Sequence, residues 1–174
     1  MLRWVACLLW VGAALAEEPA SPLRKQAPKG ERTGCVLLST GEKLAGTITT
    51  TTGRPWRVFD RPSGKYADVD LAEVVRVDVA IEENTTEQVW RWKEAGSDEK
   101  VYTDQYYIWH KYLTTLELAD GRKLTGDLQA RVYVKTTEKK HDLDLHKRLK
   151  GPASTKHKLV PPVYIKEIVF DRAK

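Results

Sequence analysis

The stretch TGEKLAGTI at residues 40–48 returns as DGRKLTGDL at 120–128, and this echo constrains the fold more than any other feature of the chain. At an offset of eighty, Val36, Leu38, Gly41, Lys43, Leu44, Gly46 and Ile48 match Leu116, Leu118, Gly121, Lys123, Leu124, Gly126 and Leu128. Each copy reads as strand, tight turn, strand. Apolar residues at 36/38 and 116/118 alternate, as a half-buried strand requires. Thr40-Gly41 and Asp120-Gly121 have the composition of a two-residue type I′ hairpin loop, which needs positive φ at both central positions. The second strand then sets Leu44, Gly46 and Ile48, or Leu124, Gly126 and Leu128, along one face. A glycine inside such a core-facing row marks a bend or a bulge. A sharply bent second strand is what curls a small sheet into a barrel.

The far ends of the two units agree as well. Val74, Val77 and Val79 correspond to Ile165, Ile168 and Phe170, each set preceded by a turn-like lead-in, DVDLAE at 68–73 and VPPVY at 160–164. Middle strands are expected at Trp56–Phe59 and Arg131–Lys135. Matching ends in the same order indicate a structural repeat.

The repeated pattern resembles the Sm-like and SH3-like small β-barrels, whose opening motif is a short apolar strand, a glycine turn and then an apolar-x-Gly-x-apolar strand. Leu116, Leu118, Gly121, Leu124, Gly126 and Leu128 follow that motif, as do their partners in the first unit. The resemblance covers about 45 residues around 35–80 and about 60 around 114–173. It implies two small barrels. It does not bring the RNA-binding function of Sm proteins, because their Asp-x-apolar-Met-Asn loop is absent: Met1 is the only methionine.

Residues 1–16, MLRWVACLLWVGAALA, read as a signal peptide with Arg3 in the n-region and a small-x-small end at Ala14-Leu15-Ala16. The apolar run is too short to span a bilayer, and no later segment is as long and apolar. An exported, periplasmic or extracellular mature chain starting near Glu17 is expected, with no transmembrane segment after cleavage. Residues 17–33, EEPASPLRKQAPKGERT, have the composition of a disordered linker. The mature chain keeps one cysteine, Cys35, so an intramolecular disulfide is excluded and stability must come from a packed core. Cys35 heads an apolar alternation and is expected to be a small buried side chain.

Between the units, residues 89–112 contain seven of the thirteen aromatic residues of the mature chain. Trp90 alternates with Trp92 and Tyr107 with Trp109, around the turn-forming stretch KEAGSDEK. An aromatic bridging hairpin is expected, presenting Trp90, Trp92, Tyr102, Tyr107 and Trp109 to a partner or packing them into a seam between barrels. The second unit carries an insertion at 135–158 with eight Lys or Arg against three acidic residues. The net charge is +5, and removal of Arg3 with the leader leaves +4, so this insertion alone makes the mature protein basic. Lys139, Lys140, Lys147, Arg148 and Lys150 are therefore candidate contacts to an anionic polymer. A helical turn or two across 141–150 would set Leu145 and Leu149 on one face.

Metal and catalytic chemistry find little footing. The spacing of His141 and His146 fits neither a helical zinc pair nor a ribbon, and neighbouring lysines oppose a cation. Gly-x-Ser-x-Gly, a phosphate loop and a cysteine–histidine signature are all missing, so no metal, cofactor or catalytic residue is assigned. The chain is thus expected to be mostly β: a first small barrel at 34–82, a bridging hairpin at 83–112 and a second barrel at 113–174. The expected function is a non-catalytic, exported envelope interaction module that binds a protein or an anionic polymer. The alternatives are an envelope-polymer hydrolase using carboxylates such as Glu94, Asp98 and Asp104, or a nucleic-acid binder, which export disfavours.

Overall fold

The computed structural model describes residues 30–51 and 54–171. The expected leader at 1–16 and the first thirteen residues of the expected linker lie outside the described residues. Twelve strands follow in order: β1 (Glu31–Leu38), β2 (Lys43–Thr50), β3 (Trp56–Asp60), β4 (Lys65–Val69), β5 (Val74–Trp92), β6 (Lys100–Leu118), β7 (Lys123–Leu128), β8 (Ala130–Lys135), β9 (Lys140–Leu145), β10 (Arg148–Lys150), β11 (Ser154–Thr155) and β12 (Ile165–Phe170). All join one curled antiparallel sheet, a half-barrel. The described residues contain no α-helix and a single 3-10 turn, Leu71–Glu73, in the lead-in to β5. The middle strands fall where the apolar pattern set them.

The strand order is β4-β3-β7-β6-β5-β12-β1-β2-β8-β9, with β10 and β11 added on the edge of β6. When each strand of the first unit is exchanged for its counterpart in the second, this order reads the same backwards. Its centre is the β5–β12 ladder, where Val77 lies opposite Ile168, its own repeat equivalent. The units also exchange partners. β2 pairs with β8 and β7 pairs with β3, so the second strand of each hairpin keeps its own partner on one side and bonds to the other unit on the other. The central strands cross in the same way, β1 with β12 and β5 with β6. One hydrophobic cluster draws from both units, with Val36, Ile48, Val58, Val74 and Val77 beside Leu116, Leu128, Val132, Val134 and Ile168, all 1% exposed or less.

The glycines of the echo sit where the units cross. A Cβ on Gly46 would lie 2.2 Å from the Lys135 carbonyl oxygen on β8, and one on Gly126 would lie 1.9 Å from the Phe59 carbonyl oxygen on β3. Both are far inside van der Waals contact, so only glycine lets the partner unit's backbone approach this closely. Asp60 reinforces the second crossing. Its carboxylate accepts the backbone N–H of Ser63 at 3.2 Å and that of Thr125 at 3.0 Å. The Ser63 side chain foremost, then the Thr125 and Ser63 backbone bonds, hold it below the usual carboxylate range.

Several expectations need correction. The hairpin loops have three residues, not two. Leu38 N–H donates to Glu42 O and Leu118 N–H to Arg122 O, and Gly41 and Gly121 return the bond to Leu38 and Leu118. Gly41 (φ 88°) and Gly121 (φ 85°) alone have positive φ there, which is a turn followed by a G1 bulge. The linker assignment runs three residues too far, because Glu31–Thr33 already pair with Ile48 and its neighbours in β2. Arg32 anchors them: its guanidinium donates to the carbonyl oxygens of Leu71, Val74 and Asp171 and stacks 4.8 Å from the Phe170 ring. Cys35 is partly exposed and unpaired, since Gly34, Val36 and Leu38 take the core side of β1 and leave it on the other face. The helical turn expected across 141–150 is strand instead. Leu143 and Leu145 answer Val132 and Ala130 across the β8–β9 ladder, and Leu149 answers His110 on β6. Finally, the boundaries drawn at 82/83 and 112/113 fall inside β5 and β6, which run through them without interruption.

Candidate functional site

β5 and β6 are 19 residues each and pair along nearly their whole length. Their inner halves belong to the core: Val74, Val77 and Val79 on β5, and Tyr112, Thr114, Leu116 and Leu118 on β6. Beyond Val79, no residue of β5 is buried. β10 and β11 flank β6 from Lys111 to Gln105, so only the tip beyond them is a two-stranded arm, on the order of 15 Å long at about 3.3 Å per residue. Register shifts at Ile81/Glu83 and Gln88/Trp90 interrupt the ladder, and bulges of this kind add twist that protects an open edge from pairing.

The aromatic residues of the arm form two clusters. At the tip, Trp90 and Trp92 meet edge to face at 4.9 Å, and the ammonium of Lys100 lies 4.1 Å from the Trp90 ring centre. Tyr102 stands opposite Trp90 in the ladder. These rings are 37%, 49% and 58% exposed for Trp90, Trp92 and Tyr102. A Lys93–Glu99 ion pair of 2.9 Å closes the turn behind them. Nearer the body, Tyr107 and Trp109 meet at 5.8 Å, and one oxygen of Glu87 accepts from both the Tyr107 hydroxyl and the Trp109 indole at 2.9 Å. Lys150, delivered by β10, covers Tyr107 at 3.6 Å and leaves that ring buried. Tyr112, by contrast, is core: it stacks on Tyr164 at 4.7 Å, and its hydroxyl lies 3.1 Å from His110 Nδ1. Burial lowers the His110 pKa and raises that of Tyr112.

The basic residues named from the sequence do not form one patch. Lys139 lies in the β8–β9 turn and Lys140 covers the Tyr133 ring at 4.4 Å, both at the end of the sheet order opposite β4. Lys147 is bonded to Asp127 at the body of the sheet. Arg148 lines a hollow of about 410 Å³ at the base of the arm with Glu83, Glu87 and Trp109. The structure therefore brings Arg148 and Lys150 to Tyr107 and Trp109 and keeps the other three lysines apart from them.

Lys147 ends a chain of charges that ties the two units together: Lys111 to Glu82 at 3.2 Å, Glu82 to Arg61 at 3.0 Å, and Arg61 to Asp127 at 2.7 Å. The Arg61 guanidinium, with help from Lys111, pulls the Glu82 carboxyl down to about 2. Burial alone would push Asp127 up, but Lys147 and Arg61 hold it below the usual range. Glu94, Asp98 and Asp104 are exposed, outside the apolar enclosure that acid catalysis draws on.

Residues 56–59 and 131 were expected only as parts of middle strands, and the structure sets 54–59 and 129–131 around a groove where the chain crosses between units. Arg57, Phe59, Tyr66, Asp127, Leu128, Gln129 and Lys147 line one part, of about 680 Å³. Arg57 and Gln129 also belong to a second part, of about 490 Å³, beside Arg54, Trp56, Arg131 and His146. The signal present in the sequence was the basic–aromatic alternation of RPWRVF at 54–59.

Among the described residues, no helix is long and apolar enough to cross a membrane, and no group of three His, Cys, Asp or Glu side chains could hold a metal ion. Comparison with family models, curated proteins and solved structures finds no match to this chain.

Proposed function

We propose that this protein is an exported, non-catalytic interaction module of the cell envelope that grips a partner protein with the tip of its β5–β6 arm. One observation carries the reading: Trp90, Trp92 and Tyr102 are held together in the open at the end of an arm that buries nothing along β5 beyond Val79. An isolated two-stranded hairpin is marginal in water, and the contacts among these rings steady the tip, yet they leave more than a third of each ring exposed, area that a partner would cover. Tyr and Trp are also the residues that dominate binding hot spots. Lys100, seated over both indoles, supplies a cation at the centre of the cluster. On this reading the body is two small barrels of Sm-like order with exchanged middle strands, which serves as a rigid mount for the arm.

The test uses residues 30–174 immobilised beside a Trp90→Ala/Trp92→Ala/Tyr102→Ala variant of equal thermal stability. A specific envelope protein retained by the wild type and lost by the variant is the expected result. Identical retention by both would sink the proposal.

A further inference from the structure

We infer that the groove between the crossing connections is a second binding site, separate from the arm, and that it takes an anionic glycan: a chain of sugar rings bearing carboxylate or phosphate groups. It does not depend on the function proposed for the arm. The groove lies where β7 passes into β8 through Gln129 and where the chain from β2 enters β3 through Arg54 and Pro55, so both units build it. Its two parts meet at Arg57 and Gln129.

The lining carries Arg54, Arg57, Arg131, His146 and Lys147, with two carboxylates of its own, Asp68 and Asp127. Asp127 is already engaged by both Arg61 and Lys147, and Arg131 is engaged by Asp142 and Asp144. Among the described residues, neither Arg54 nor Arg57 has a carboxylate partner. Arg57 instead lies 4.9 Å above the ring of Tyr66, which is 65% exposed. That stacking fixes the plane of a guanidinium whose donors stay available, an arrangement suited to a carboxylate or phosphate. A further donor lies in the floor. Trp56 is 3% exposed, and its indole N–H has no hydrogen-bond partner among the described residues. Buried polar groups are nearly always paired, and this unpaired N–H belongs to a core side chain that lines the groove.

Aromatic and aliphatic surface separates this site from a simple counter-ion trap. Phe59 and Tyr66 pack edge to face at 5.1 Å, and with Leu128 they give the groove an apolar side. The apolar face of a sugar ring fits that side while its acidic substituent reaches Arg54 and Arg57. Sites for small ligands combine apolar walls with a few placed polar groups in this way.

The test is calorimetric titration of residues 30–174 with oligogalacturonate, with a phosphorylated mannose oligosaccharide, and with neutral dextran of equal length. Saturable binding of either acidic glycan but not of dextran is expected, and the two arms tell carboxylate from phosphate. Arg54→Gln/Arg57→Gln should weaken that binding at least tenfold, while Lys139→Gln/Lys140→Gln and Trp90→Ala/Trp92→Ala should change it less than twofold. Arg54 and Arg57 are exposed, and thermal unfolding of the double variant checks that the fold survives. The site is overturned if neither acidic glycan binds, if dextran binds as well, or if the Lys139/Lys140 control loses as much. It is overturned as a glycan site if polyglutamate or single-stranded DNA of equal charge binds as tightly.

Discussion

At the scale of single residues, Gly46 and Gly126 matter more than the turn glycines beside them. Gly41 and Gly121 have positive φ but open space around the missing Cβ, so alanine there costs about 1 kcal/mol in backbone strain. Alanine at Gly46 or Gly126 would drive a methyl group into a ladder carbonyl of the other unit. Gly126→Ala should therefore lose roughly 2–4 kcal/mol in urea unfolding, two or more times the loss of Gly41→Ala. Equal losses would mean that the crossing is loose. His110 gives a second residue-scale expectation. Burial lowers its pKa in the folded chain, so the unfolded chain binds the proton more readily. The folded state keeps its full advantage above the unfolded pKa near 6.5 and loses it as pH falls from there toward the lower folded value. The urea midpoint should drop between pH 7.5 and pH 5, and His110→Gln should flatten part of that slope. The importance of both glycines was legible as a repeat, yet their reason was not. Both were read as bends within a unit, because nothing in KLAGTI or KLTGDL says which backbone will arrive beside them.

At the scale of elements, β5 and β6 each join two different environments in one unbroken strand. Val74–Val79 and Tyr112–Leu118 are core, the stretch of β6 from Gln105 to Lys111 is flanked by β10 and β11 and buries Tyr107 and His110, and only the tip beyond it stands in solvent. The hairpin was legible from the alternation of Trp90 with Trp92, of Tyr107 with Trp109, and from the turn residues between them. Its continuity with the core strands was not, since β-branched and aromatic residues run through 74–92 and 100–118 without a break in composition that would mark a boundary. Hydrogen exchange should report the difference. Amides of the outer arm, residues 85–92 and 100–106, should exchange faster than those of 74–79 and 112–118. Substitution should agree: Trp90→Ala/Trp92→Ala should leave stability within about 0.5 kcal/mol, while Tyr112→Ala should cost roughly 3–5 kcal/mol. The basic insertion shows the same limit of local reading. Leu145 and Leu149 fit a helical spacing, but HDLDL also alternates with period two, and the open edges of β8 and β6 decided in favour of strand.

At the scale of the whole molecule, the exchanged pairings make the units dependent on one another. β2 needs β8, β7 needs β3, and the ladder through Val77 and Ile168 closes the middle. A single cut in the turn at 93–99 of residues 30–174 should therefore give two fragments that do not unfold cooperatively alone. Mixed at equal concentration they should recover one cooperative transition and elute as a single 1:1 species. Two separately folded monomeric fragments would contradict the shared core. By itself the sequence determined that this chain is β-rich, that it carries one hairpin pattern twice, and where the two hairpins, the middle strands and the aromatic hairpin lie. Those are local properties, written in the period of apolar residues and in the placement of glycine. Only the tertiary structure decided that the bent strands pair across the repeats, that the basic residues disperse, and that Arg54 and Arg57 border a shared groove. When two units have the same strand pattern, local pattern alone does not distinguish a unit's own strand from its twin's. The choice between them rests on packing across the whole sheet, at places such as Gly46 beside Lys135 and Gly126 beside Phe59.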